Sequence, residues 1–327
     1  MKITDLVLRL FLVSMTLMSD CSISSAFAMP SDTLLKTLNS EVYRVEVVHQ
    51  NGKHGLGSAV VIAKDQLVTN CHVVTNAKDV KVMVNGVAQA VTGLKPDWRH
   101  DICILTTATV DAPVAEIGES KNLHYQTAVL TVGYPEKTTT PVNTFGEVDG
   151  LIPMDDGFVI RASSAFNLGA SGGGMFDETG KLVGIITLKS RGANAQYFFM
   201  PVEWVVALMS QSTQALGLNA QKPFWALADS EKPYFMKVVQ PSVEHDWSEL
   251  KAVSTEWANH EPNTAESWLN LAIAEYETKE YEQALTHFKK AMSLRNDCVI
   301  VQDYINKLTE PIANKAMAST QLLASVH

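Results

Sequence analysis

The 327 residues are 46% hydrophobic and 19% charged, the balance of a globular chain long enough for two ordinary domains. The formal net charge is −9, and no basic run exceeds two residues, so the electrostatic footprint of nucleic-acid binding is absent. Acidity of this size speaks to solubility and little else. At the start of the chain, Lys2 and Arg9 precede the apolar run "LFLVSMTLM", and "SSAFA" places Ala26 and Ala28 in a small-residue cleavage pattern. The run is well short of the roughly 20 residues a spanning helix needs. Residues 1–28 therefore read as a signal peptide, with an uncleaved membrane anchor as the alternative, and the chain as exported, periplasmic or secreted, with no membrane association after cleavage. Export leaves Cys71, Cys103 and Cys298, an odd number that allows one bridge and one spare thiol.

Residues 29–210 read as one β-rich domain. "VYRVEVV", "GSAVVIA", "QLVTN", "VKVMV" and "DICILTT" come first, and "TAVLTVG", "GFVIRAS", "KLVGIIT" and "QYFFMP" follow the break at "DAPVAEIGESKNLHYQ". Short strands at this spacing, with Gly, Asn and Asp between them, predict an all-β sandwich or barrel in two halves. "VEWVVALMSQ" closes the domain as a helix, and residues 211–241 read as a linker. From 242 to 327 the pattern turns helical, with Trp268, Leu271, Ala272, Ala284, Phe288 and Ala291 at 3.6-residue spacing.

The stretch "NLGASGGGMFDETGKL" places Ser171 among glycines ahead of an apolar strand. Such a cluster serves as a hinge, a phosphate cradle or a nucleophile loop. The cradle fails on spacing, with five residues between Gly174 and Gly180 and Leu182 after the lysine. A nucleophilic serine needs an imidazole to take its proton and a carboxylate to fix that imidazole's tautomer. "LVTNCHVV" supplies His72 at the end of one β-run, and "RHDICIL" supplies Asp101 at the start of another. Alone, each reads as an ordinary structural residue; in the order His, Asp, Ser within a two-halved β domain, they read as a triad.

With these motifs in order, residues 41–210 resemble the trypsin-like serine proteases, and within them the bacterial HtrA-type branch. "GLGSAVVIAKDQLVTNCHVV", "HDICIL", "VGYP", "NLGASGGGMFDETGKLVGI" and "FFMPVEWV" carry the resemblance. It implies a double six-stranded barrel with His72 as general base, Asp101 as orienting carboxylate and Ser171 as nucleophile. It further implies oxyanion donors at the amides of Gly169 and Ser171, substrate-binding positions at Ala165, Ile186 and Thr187, and neither cofactor nor metal. Ala170 stands where zymogens of the family carry an aspartate. Gly174, where many relatives have Pro or Ala, predicts a looser loop. Ala165, at the pocket base, predicts a preference for small or medium apolar residues.

If His72 and Asp101 meet, Cys71 and Cys103 are brought close, and a disulfide between them is expected; two buried thiols are the alternative. A Cys-His-Cys metal site fits poorly, since neighbouring strand residues face opposite ways. Cys298 reads as a small core residue. The tail resembles a tetratricopeptide repeat over residues 265–298, with Glu275 where an aromatic is usual. That implies an all-α region binding a protein partner or substrate, or else a plain helical appendage. The whole reads as an exported serine endopeptidase of protein or peptide substrates whose barrels carry every group that cleavage needs. The competing reading is a catalytically silent binding protein on the same fold; hydrolysis of non-peptide esters has no sequence support of its own.

Overall fold

Two closed antiparallel six-stranded barrels follow one another along the chain. A computed structural model describes residues 29–219 and 221–309, so the expected signal peptide and the last part of the expected helical region lie outside the described residues. Helix α1 (Asp32–Asn39), N-capped by the Ser31 hydroxyl, precedes the first barrel. That barrel comprises β1 (Val42–His49), β2 (His54–Ala63), β3 (Gln66–Thr69), the short helix α2 (Cys71–Val74), β4 (Ala77–Val84), β5 (Val87–Asp97) and β6 (Ile102–Thr107), in the order β1-β2-β3-β6-β5-β4. The second comprises β7 (Ala128–Gly133), β8 (Val142–Met154), β9 (Gly157–Ala162), β10 (Gly174–Asp177), β11 (Leu182–Lys189) and β12 (Tyr197–Pro201), in the order β10-β11-β12-β9-β8-β7.

The strands that read most clearly in the sequence are buried on both faces. In β2, Ala59 and Val61 fill the first barrel while Val60 and Ile62 face a shared core outside it. In β6, Cys103 and Leu105 point inward and Ile102 and Ile104 outward. Strand β11 is also divided between two cores, though out of strict alternation, with Val183 and Ile186 inside the second barrel and Leu182 and Ile185 in the shared core. Period-2 alternation thus becomes a continuous apolar run. Three strands, β5, β8 and β10, had no such run to mark them. Pro96 and Pro153 interrupt the first two, each where the strand is paired on one side only, a position that tolerates a missing N–H. Gly174 opens β10, paired to both Val132 and Ile185. A Cβ there would lie 2.5 Å from the Phe176 ring, so this glycine permits close packing.

After α3 (Val202–Met209), the stretch expected to be a linker is folded into the body of the protein. A 3₁₀ turn (Phe224–Ala226), α4 (Tyr234–Lys237) and α5 (Val239–Glu244) place Phe224, Phe235, Val238, Val239 and Val243 in the shared core with both barrels. Helices α6 (Trp247–His260), α7 (Ala265–Glu277), α8 (Tyr281–Leu294) and α9 (299–309) follow. Leu269, Ala272, Ala284, Phe288 and Ala291 pack between α7 and α8, and Cys298 and Tyr125 join the same cluster. Glu275, in the position the repeat pattern gives to an aromatic, is buried against His287 Nδ1 at 2.7 Å. Tyr125 comes from the connection between the barrels; its hydroxyl donates to Glu266 Oε1 (3.2 Å) and its amide to Asp297 Oδ2 (3.2 Å). The helices are docked on the barrels through this ring. Among the described residues no helix is long and apolar enough to cross a membrane.

Two consequences can be measured. Glu41, between α1 and β1, is buried, and its Oε2 has no hydrogen-bond partner among the described residues. Burial pushes its carboxyl from the usual 4.5 up to about 7. A raised carboxyl binds more protons folded than unfolded, so stability drains away as pH climbs from about 4.5 through about 7. Glu41→Gln should therefore stabilise by roughly 1–2 kcal/mol above neutrality and by nothing at pH 4. Equal gains in melting temperature at both pH values would show that ionisation is not the cause. Cys298 is buried, and desolvation pushes its thiol up to about 11. Iodoacetamide at neutral pH should leave it unmodified in folded protein and label it in denaturant; native labelling would contradict the packing.

Candidate active site

His72 lies on α2, immediately after the strand end at Thr69–Asn70, and Asp101 lies in the turn that enters β6. Asp101 is fully buried and left-handed at φ 61°, a conformation that Asp tolerates better than most residues. Its main-chain oxygen accepts from Cys71 N–H (3.2 Å) and Asn70 Nδ2 (3.0 Å), so its backbone is tied to the segment carrying His72. The carboxylate then meets His72 twice: Oδ1 accepts the main-chain N–H at 2.8 Å, and Oδ2 lies 2.6 Å from Nδ1. A carboxylate can only accept, so Nδ1 carries the proton of this bond, which leaves Nε2 as the acceptor of a neutral imidazole. Cys71 and Cys103, flanking this pair, are joined in a disulfide with Cα atoms 4.9 Å apart. Cys71 and Cys103 fill the barrel interior while His72 stays partly exposed. Among the described residues no cluster of His, Cys, Asp or Glu could hold a metal ion.

The Ser171 loop is built from two consecutive turns with glycine in the third position. Asn167–Ala170 closes through Ala170 N–H to Asn167 O (3.1 Å) with Gly169 at φ 92°, and Ala170–Gly173 closes through Gly173 N–H to Ala170 O (2.9 Å) with Gly172 at φ 87°. Positive φ at that position is what a type II turn demands. Neither site has room for a side chain: a Cβ on Gly169 would lie 2.7 Å from Glu136 N, and one on Gly172 2.1 Å from Ser58 O. The carbonyls ahead of Gly169 and Ser171 are pinned, Leu168 O by Glu136 N–H (2.8 Å) and Ala170 O by Gly173 N–H. In a trans peptide the N–H points away from its carbonyl. The amides of Gly169 and Ser171 are thereby turned from both anchors, and neither has an acceptor among the described residues.

Ser58 on β2 holds this loop against the first barrel, a role that nothing in the sequence marked beyond its place in "GLGS". Its hydroxyl donates to Gly169 O (2.9 Å) and accepts from Tyr134 N–H (2.8 Å), and its amide donates to Ser171 O (2.8 Å). Ser171 Oγ itself donates to Thr187 O at 3.5 Å and makes no hydrogen bond to His72. Beside Asp101, His100 bridges the barrels, with Nδ1 2.6 Å from Asp97 and Nε2 2.7 Å from Asp155. Burial opposes its imidazolium, but the two carboxylates outweigh that and raise its pKa.

The three expected substrate-binding positions differ in kind. Ala165 is exposed. Ile186 is a core residue of the second barrel and meets the serine loop through its backbone, with Gly172 N–H to Ile186 O and Ile186 N–H to Gly173 O, both 2.8 Å. Thr187 is buried, its hydroxyl donating to Ile185 O (2.9 Å) and accepting from Asn70 Nδ2 (3.0 Å). Next to Ala165, the Phe166 ring packs edge-on to Tyr197 (5.2 Å) and Phe199 (5.5 Å). Just past Thr187 a groove of about 1270 Å³ opens, lined by Leu188, Arg191, Trp225, Met236, Val239 and Val253 among others. Trp225 was absent from the sequence reading, yet its Nε1 donates to Asp101 Oδ2 at 3.1 Å.

Residues 57–185 match the trypsin-like peptidase domain family, a span containing His72, Asp101 and Ser171. The chain is 31% identical over 210 residues to the protein of Pseudomonas fulva named "Probable periplasmic serine endoprotease DegP-like", covering 58% of this chain and 44% of that one. Residues 57–185 thus carry a trypsin-like peptidase domain. A Marinomonas protein of the same name is 32% identical over 175 residues, covering 50% of this chain and 36% of its own. The chain thus spans less than half the length of these curated relatives. Solved structures agree on the peptidase fold. An active-form protease of M. tuberculosis, Rv3671c, aligns with a TM-score of 0.52 at 18% identity, covering 60% of this chain and 92% of that one. The HtrA-type protease AlgW with a tripeptide aligns at 0.50 and 24% identity, covering 55% and 62%. The matched span runs from within β2 to within β11.

Proposed function

We propose that this protein is an exported, periplasmic serine endopeptidase that cleaves protein substrates through an acyl-enzyme. The observation that carries the reading is the buried Asp101–His72 pair, 2.6 Å apart, in the same domain as a serine loop that leaves two amides unpartnered. Ser171 Oγ attacks the scissile carbonyl and His72 Nε2 takes its proton, exchanging the long bond to Thr187 O for one to the imidazole as substrate binds. The amides of Gly169 and Ser171 receive the oxyanion. Asp101 holds the tautomer and stabilises the imidazolium, which then protonates the leaving amine. Water repeats the sequence on the acyl-enzyme.

DegP-like relatives named periplasmic endoproteases support the compartment and the reaction. An extended protein segment suits the groove beyond Thr187, and the helical region that lines it in part is assigned the recruitment of substrate or a protein partner. The test is covalent labelling with a fluorophosphonate, mapped by mass spectrometry, together with sequencing of the new N-termini released from an unfolded protein. Label on Ser171 and new N-termini support the proposal; a folded, oxidised sample that takes up no label refutes it.

A further inference from the structure

We propose that Trp225, from the segment after the barrels, is a positioning residue for the Asp101–His72 pair and ties catalysis to the helical region. This rests on the endopeptidase reading above. Asp101 is fully buried, and a buried carboxylate must have its oxygens satisfied. Oδ1 accepts from His72 N–H; Oδ2, the oxygen that orients the imidazole, also accepts the indole N–H of Trp225 at 3.1 Å. The same indole stands edge-on to the His72 ring, centroids 5.6 Å apart and planes at 88°. It therefore touches both members of the pair. No other side chain besides His72 donates to this carboxylate among the described residues. The neighbouring hydroxyl of Thr187 is turned to Ile185 O, and the Asn70 amide bonds the main-chain oxygen of Asp101.

The position of Trp225 is built into the fold. Phe224 N–H donates to Arg99 O (3.0 Å), two residues before Asp101. The Phe224 ring is buried in the shared core against Phe235 at 5.7 Å. The 3₁₀ turn is thus pinned on both sides, and the indole also forms part of the groove wall. The residue lies 40 positions past the last residue of the matched peptidase family span. The geometry makes a group outside that span part of what sets the imidazole.

The test uses the full chain with Trp225→Phe, which keeps a ring beside His72 and removes the N–H. The His72 Nδ1–H proton resonance should shift and broaden, kcat on a short peptide should fall about tenfold with KM within twofold, and fluorophosphonate labelling should slow about tenfold. Should the Phe variant fail to fold, the benzothienyl isostere of tryptophan at position 225, with sulfur for N–H, serves in its place. A folded variant with unchanged resonance and unchanged kcat overturns the proposal, as does a rise in KM alone, which would make Trp225 only a groove lining. If wild-type protein takes up no label, the endopeptidase reading fails by itself, and the His72 resonance still decides for or against Trp225.

Discussion

Ser171→Ala is expected to abolish fluorophosphonate labelling and to lower peptide hydrolysis by about 10⁴- to 10⁶-fold. The loss has one source, since the variant keeps the glycine turns, the Ser58 clamp and the His72–Asp101 pair but has no oxygen to form the acyl bond. What survives is the background that unpartnered amides and substrate positioning can provide. The fold should be unaffected, because the hydroxyl makes one long hydrogen bond, 3.5 Å to Thr187 O; stability should stay within about 0.5 kcal/mol of wild type. His72→Ala should be comparably damaging, as residues acting as a unit do not lose activity additively. Steady-state kinetics with thermal melts reads both quantities. Full activity in either folded variant would end the triad assignment.

The parts of this site legible in the sequence were those whose chemistry or backbone demands a particular residue. Gly169 and Gly172 are required by positive φ and by the absence of space for a Cβ. The strands around His72 and Asp101 stood out because their two faces enter two different cores. Ser58 and Trp225 escaped because each reaches the site through tertiary contact alone. A buried serine in a strand looks like any other, and Trp225 meets Asp101 across 124 residues of sequence.

The linker reading of residues 211–241 failed for a related reason. "STQALGLNAQKPF" has loop composition, while the anchors Phe224, Phe235 and Val239 show no helical period because they belong to short turns and helices packed on the barrels. The proposed role of Trp225 puts the expectation that the barrels alone carry every group cleavage needs to the test. A chain ended near residue 211 would lack the Trp225 donor and uncover the shared core, so its activity on short peptides should fall as well as its activity on proteins.

Loss of the Cys71–Cys103 bridge is expected to lower stability by about 3–4 kcal/mol while changing catalysis at 25 °C by only a few fold. The cross-link spans a sequence separation of 32 residues, and most of its effect lies in restricting the unfolded chain. Both residues sit in the first barrel's interior, so alanine is the substitution that avoids burying an unpaired hydroxyl. In Cys71→Ala with Cys103→Ala, the two segments stay joined by four hydrogen bonds: Cys71 N–H (now Ala) and Asn70 Nδ2 to Asp101 O, and His72 N–H and Nδ1 to the carboxylate. Those bonds set the imidazole as long as the barrel is folded, which is why kcat/KM should survive. Denaturant unfolding of oxidised protein, of protein reduced in denaturant and refolded with its thiols blocked from reoxidation, and of the double variant separates the contributions. The last two should share a lowered midpoint, and a variant as stable as oxidised wild type would show that the bridge contributes nothing. A large fall in kcat/KM at unchanged fold would instead place the bridge in the geometry of the pair, with the hydrogen bonds too weak to hold His72 on Asp101 without it.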